Sequence, residues 1–167
     1  MKRGYKHTQL VANVWNHVDM KYMKGFRMLT LGWTDFASYF PIMERLLSSK
    51  EDKNIVGIKP DIDKRTLSGK RALQACRKGT EVMVEMLKYA ISCGHKAKYV
   101  LFDTWFANPV NIMQIKNECD LDVICMLKKS KTYYEFEGKK LNVKEIFKKK
   151  KKRPGRSKYL LSVEVNL

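Results

Sequence analysis

Between His7 and Tyr22 the apolar residues Leu10, Val11, Val14, Trp15 and Val18 recur at helical spacing, and Thr8 stands where an N-cap belongs. The pattern predicts a short amphipathic helix. Two aromatic-rich apolar runs follow, 26–33 and 39–47, split by the polar stretch 34–38, which predicts an antiparallel strand pair with Pro41 confining the second strand to an edge. The segment "SKEDKNIVGIKPDIDKRTLSGK" mixes charge, Pro and Gly without a period and reads as an exposed loop. Helical spacing resumes at 68–93 through Ala72, Leu73, Cys76, Val82, Met83, Met86, Leu87, Ala90 and Ile91, with a break near Gly79 and Gly94 as the stop. "KYVLFD" is then a continuous apolar run of the kind buried on both faces of a sheet. Asn108 and Pro109 have the types preferred at N-cap and N1, so a helix should run from there to Glu118, and "LDVICMLKK" supplies a further strand parallel to the first. Past residue 130 apolar and polar residues alternate, with a turn at Gly138, a basic run, and a last strand at 159–165. The fold class is α/β.

The 167 residues, 44% of them hydrophobic, suit one ordinary globular domain. Lys and Arg number 34 against 17 acids, a formal charge of +17, so a polyanion such as nucleic acid is the leading partner; solubility alone is the plainer reading. Cys76, Cys93, Cys119 and Cys125 form no CxxC pair and have no histidine at zinc-finger spacing, which points to reduced core residues. The basic start lacks an apolar signal region, and no run approaches a membrane span. A soluble cytoplasmic chain without membrane partners is expected.

The run "KYVLFDTWFANP" ends its apolar stretch on a carboxylate, Asp103. In open α/β sheets ligands bind at the carboxyl ends of parallel strands, so the position makes Asp103 a site candidate. The alternative is a turn cap that accepts hydrogen bonds from the amides of Trp105 or Phe106. One acid does little alone, because phosphodiester chemistry with two metal ions about 4 Å apart needs several carboxylates.

Six blocks, "KGFRMLTLGWTD", "LLSS", "DKRTLSGKRA", "KYVLFDTWFANP", "LDVICMLKK" and "KKRPGRSKYLLSVEV", resemble in the same order the DDE transposases of bacterial insertion sequences, family four. The resemblance covers nearly the whole chain. It implies a ribonuclease H-like fold, a mixed sheet with flanking helices and a β-rich insert, here incomplete: 1–130 as a partial catalytic core lacking its first strand, and 131–167 as the start of the insert. It makes Asp103 a catalytic, metal-binding acid, the family's second Asp, with Mg2+ or Mn2+ as cofactor and DNA as substrate. The family's first Asp is then expected on a strand before Met1 and its Glu on a helix beyond Leu167. The central first strand, expected beside the 26–33 and 98–103 strands, would leave their edges open. Phe36 stands where the family usually has Gly, and a bulky residue adopts positive φ only at a cost, so an altered turn at Asp35 is expected.

Other acids compare poorly as replacements. Asp61 and Asp63 form a possible chelating pair, but Lys59, Lys64 and Arg65 flank them. Asp35, Asp120 and Asp122 sit at strand ends, where turn formation or solvation explains them. The basic run contributes Lys148, Lys149, Lys150, Lys151, Lys152, Arg153, Arg156 and Lys158 as candidate DNA-binding residues, with Tyr133, Tyr134 and Tyr159 nearby for packing or sugar contacts; the alternative is a solvated charge run. His7, His17 and His95 are scattered, and His17 is expected to be partly buried beside the first apolar face. Trp33, Trp105 and Phe106 read as core or site wall. Two functions follow. One is a fragment of a cut-and-paste transposase, inactive alone, that would cleave transposon ends and join them to a target when complete. The other is a non-enzymatic basic DNA-binding remnant, or a truncated inhibitor that competes with intact transposase, whose partners include that enzyme or a complementing fragment.

Overall fold

The computed structural model describes residues 7–127, 129–150 and 161–167, which divide between two compact units, Met1–Lys96 and Ala97–Leu167. The chain is α/β, with four α-helices and four two-stranded sheets among the described residues.

The first unit opens with a hairpin where the apolar spacing predicted a helix. Strands β1 (Ala12–Asn16) and β2 (Lys21–Gly25) pair antiparallel, Trp15 opposite Tyr22. The segment is rich in β-branched, aromatic and Asn residues, which lose little in an extended chain and gain little in a helix, and this outweighs the apolar period. The Asn16 side chain accepts a hydrogen bond from the Val18 amide at 2.9 Å to start the turn. Loop 49–66 is irregular as expected, with a short 3-10 turn at Asp52–Asn54, but it is tied to the first segment. The amides of Val56 and Gly57 donate to the Val11 carbonyl, and Leu10 donates to Ile58. A β-carbon at Gly57 would run into the Thr8 carbonyl, so only glycine permits this approach.

Strands β3 (Arg27–Thr34) and β4 (Tyr39–Leu47) form the predicted antiparallel pair, with a register shift after Leu31. The expected helical stretch forms two helices, α1 (Leu67–Ala75) and α2 (Gly79–Ser92), with the break falling just before Gly79 as the sequence suggested. Thr66 caps α1 by accepting from the Gly69 amide, and Gly94, at φ +91°, follows α2. Leu47, Val82 and Met86 form a buried cluster with Leu29, Leu31 and Met43 against it, so α2 covers one face of the β3–β4 pair.

The second unit begins with β5 (Tyr99–Phe102), α3 (Pro109–Cys119) and β6 (Asp122–Cys125), and β5 and β6 are parallel with Phe102 opposite Cys125. Asn108 caps α3 through the Asn111 amide, with Pro109 in the first turn, as the residue types predicted. The expectation that β5 is buried on both faces is not met. Val100 and Phe102 are half-buried, whereas Tyr99 and Leu101 are 45% and 60% exposed. The physical reason is layer count: α3, with Ile115 fully buried, packs on this pair, and among the described residues of this unit no second layer covers the other face.

Strands β7 (Tyr133–Phe136) and β8 (Lys139–Asn142) form a hairpin whose turn residues, Glu137 and Gly138, both have positive φ, as two-residue turns of this hand require. Helix α4 (Val143–Lys149) follows directly, fixed by a capping box between Asn142 and Glu145. Tyr134, Phe136 and Ile146 form its core with Leu127, Leu141, Val143 and Val165. The last strand expected at 159–165 falls partly outside the described residues. Its described part, 161–165, forms no strand; one residue past it Asn166 makes a single bridge, exchanging backbone hydrogen bonds with Glu135 at 2.9 and 3.0 Å. One bridge holds less than a ladder, and Val163, 37% exposed, buries too little to extend it.

Candidate active site

Asp103 follows β5 directly, at the carboxyl end of the parallel pair. It is exposed, and its Oδ1 accepts the Trp105 amide proton at 2.8 Å. This closes a turn that carries the chain over to α3: the Phe106 carbonyl accepts from the Asn108 amide at 2.9 Å and from the Asn111 side chain at 3.1 Å. Both readings of Asp103 therefore meet in one geometry. One carboxylate oxygen is engaged by the backbone, which fixes the group, and the charge faces solvent at a strand end. Among the described residues no cation forms a salt bridge with it. Trp105, 56% exposed, stands beside it as wall rather than core, while Phe106 packs edge-on against Phe102 at 6.0 Å. Trp33 is half-buried rather than core, its indole donating to the Lys96 carbonyl at 2.9 Å and its ring 6.4 Å from that of Phe40.

Of the other candidate acids, all but Asp61 have structural work. Asp35 accepts from the Ser38 and Ala37 amides at 2.7 and 3.0 Å, and these hydrogen bonds, Ser38 first, hold its carboxyl below the usual 3.8. Asp63 is gripped by the Arg65 guanidinium and amide, which lower its pKa in that order, and Asp61 is exposed beside it. Asp120 and Asp122 share Lys116 at 3.2 and 2.9 Å. No group of three His, Cys, Asp or Glu side chains clusters to hold a cation among the described residues. A divalent metal takes about six oxygen ligands, so the described residues do not fit a metal pair.

Of the candidate DNA-binding residues, Lys148 and Lys149 lie exposed in the last turn of α4. Lys150 is committed elsewhere: its Nζ bridges Glu137 at 2.8 Å and lies 5.2 Å over the Phe136 ring. That pairing depresses the Glu137 carboxyl. Lys151, Lys152, Arg153, Arg156 and Lys158 lie outside the described residues, as does Tyr159. Tyr134 is buried and serves the core, where burial raises its phenol pKa, whereas Tyr133 is exposed. Lys139, Lys140 and Lys144, which the sequence reading did not single out, are exposed on β8 and the first turn of α4. Their signal was the spacing in "GKKLNVKEIFKK": one buried side for Leu141, Val143 and Ile146 leaves the lysines outside. His17 is exposed rather than packed, because the hairpin turns it away from the apolar side that a helix would have given it.

Residues 1–158 match the family model of the DDE superfamily endonucleases. No curated protein and no solved structure matches the chain.

Proposed function

We propose that this chain, which belongs to the DDE superfamily of endonucleases, is part of the catalytic domain of a cut-and-paste transposase of the insertion-sequence type, family four, whose substrate is DNA. The observation that carries this reading is the placement of Asp103, a fixed and outward-facing carboxylate at the carboxyl end of a parallel strand pair. Endonucleases of this superfamily typically use divalent metals, and Asp103 would be one of the acids that hold Mg2+ or Mn2+. What Asp103 contributes by itself is a negative charge held in place by the Trp105 amide, so that little reorganisation is needed when a cation arrives. Lys148 and Lys149, joined by Lys139, Lys140 and Lys144, supply cations for the phosphate backbone. Among the described residues no helix is long and apolar enough to cross a membrane.

A second reading, a DNA-binding remnant or an inhibitor that competes with intact transposase, is favoured by the same lysines and by the scarcity of clustered acids. One experiment tests the inactivity and the DNA binding that both readings share. The chain is incubated with duplex DNA carrying transposon-like ends and Mg2+ or Mn2+, and the expected result is binding without cleavage or strand transfer. Metal-dependent cleavage that disappears in Asp103→Asn would sink the expectation of inactivity and make the chain an enzyme in its own right.

A further inference from the structure

The β1–β2 hairpin carries a second set of groups suited to nucleic acid. Trp15 and Tyr22 oppose each other directly, ring centroids 5.1 Å apart and planes at 72°. Asn13 and Lys24 oppose each other one pleat away, so they share that face. His17, just past β1, sets its ring edge-on to Trp15 at 6.5 Å. Tyr22 is 70% exposed and Trp15 39%. The other face carries Ala12, which is fully buried, and half-buried Val14, with Met23 43% exposed nearer the turn, so the hairpin is anchored at its Ala12 end and the Trp15–Tyr22 face is open.

We propose that this open face is a stacking platform for unpaired bases of a DNA strand, a binding site made of residues other than Asp103 and the β8–α4 lysines; it rests on the reading of the chain as a protein that acts on DNA. An aromatic ring accepts any base through its π-face, so stacking binds single strands with little regard to sequence. The edge-to-face contact with Tyr22 holds the Trp15 ring in place before a ligand arrives, which lowers the entropy lost on binding. Lys24 and Asn13 add a cation and an amide beside the rings, the donors that phosphate oxygens and base edges accept from. Charge favours the same ligand: a chain of net charge +17 attracts a polyanion and repels a second copy of itself. A protein occupant fits less well, because the cores of protein interfaces are depleted in lysine.

The test uses the full chain and three labelled DNAs: an oligothymidylate of about 12 nucleotides, within the usual range for a single-strand-binding surface, an abasic strand of the same length, and a duplex. Tyr22→Leu keeps bulk and strand pairing while removing the ring. The expected result is that this variant binds oligothymidylate about tenfold more weakly, the scale of one base stacked on one ring, and binds the abasic strand as before. Equal affinity of the original chain for oligothymidylate and abasic strand overturns the proposal, as does a Tyr22→Leu variant that binds both like the original chain or loses both equally. Duplex binding without preference for oligothymidylate removes the platform and leaves the DNA reading standing. Failure of the original chain to bind any of the three removes both.

Discussion

At Phe36 the chain holds φ at +73° with a side chain that is 92% exposed. The residue type argued for an altered turn, because left-handed backbone brings the β-carbon against a carbonyl oxygen at a cost of about 1–2 kcal/mol. Phe36 itself takes the left-handed step. Thr34 Oγ1 accepts the Phe36 amide at 3.0 Å and Asp35 accepts the next two amides, so side-chain hydrogen bonds impose the conformation that glycine would adopt freely. Phe36→Gly should therefore stabilise the chain, by roughly 0.5–1 kcal/mol once the greater freedom of glycine in the unfolded state is subtracted. Thermal melts of the two proteins check this, and a lower melting temperature for the variant would mean that the exposed ring has a role in packing. Asp103 shows the opposite relation between type and place. Its turn-capping geometry could be read from the residues alone, but its catalytic assignment came from the resemblance, since a capping acid and a metal-binding acid look alike in one sequence.

Elements were legible where several signals agreed. The types Asn108 and Pro109 fixed the start of α3, and the Glu137–Gly138 turn fixed the β7–β8 hairpin. The β1–β2 hairpin was illegible because its apolar period imitates a helix over a span too short to correct it, and only strand propensity argues the other way. Between α1 and α2 the break is held by charge: Arg77 bonds Glu81 and Glu85, and Gln74 donates to Glu85 at 2.9 Å. Burial alone would raise the Glu85 pKa, but the hydrogen bonds from Gln74 and Arg77 and the charge of Arg77 bring it below the usual 4.5. A depressed carboxylate stabilises the fold above its unfolded value and loses that contribution as pH falls through the folded one. Glu85→Gln should accordingly weaken the fold near neutrality and lose less stability than the original chain between neutrality and pH below 4.5, as urea melts at the two pH values would reveal. Equal losses would mean that the network contributes nothing to acid sensitivity. The β8–α4 surface makes a separate prediction. Replacing Lys144, Lys148 and Lys149 with Gln should flatten the slope of log affinity for duplex DNA against log salt by about 0.9 for each phosphate contact removed, whereas an unchanged slope would place the backbone-binding face elsewhere.

Across the whole molecule the four sheets have only two strands each among the described residues, and a two-stranded sheet is marginal by itself. Two of the pairs, β3–β4 and β5–β6, are each covered on one face and carry exposed apolar side chains on the other. Met28 and Leu46 oppose each other on β3 and β4 at 63% and 56% exposure, while α2 packs beneath. On β5 and β6, Tyr99, Leu101 and Ile124 stay exposed on the face opposite the half-buried positions. Burying one such side chain is worth about 1.5–3 kcal/mol, and a domain's entire stability is about 5–15 kcal/mol, so leaving several in water removes a large share of the margin. The open strand edges add unpaired backbone groups that template association with other chains. The chain alone is therefore expected to melt broadly, at low temperature, and to aggregate as it does so. On the proposed reading of the chain as part of a catalytic domain, a peptide carrying the first strand that the resemblance implies should pair with an open edge, as extended segments add to exposed sheet edges, and raise and sharpen the transition as its concentration rises, because a ligand that binds only the folded state stabilises by mass action. Calorimetry with and without the peptide is the measurement. A sharp, cooperative transition for the chain alone, unmoved by the peptide, would show that these faces and edges are already satisfied in solution and would remove the argument that the domain needs a further strand.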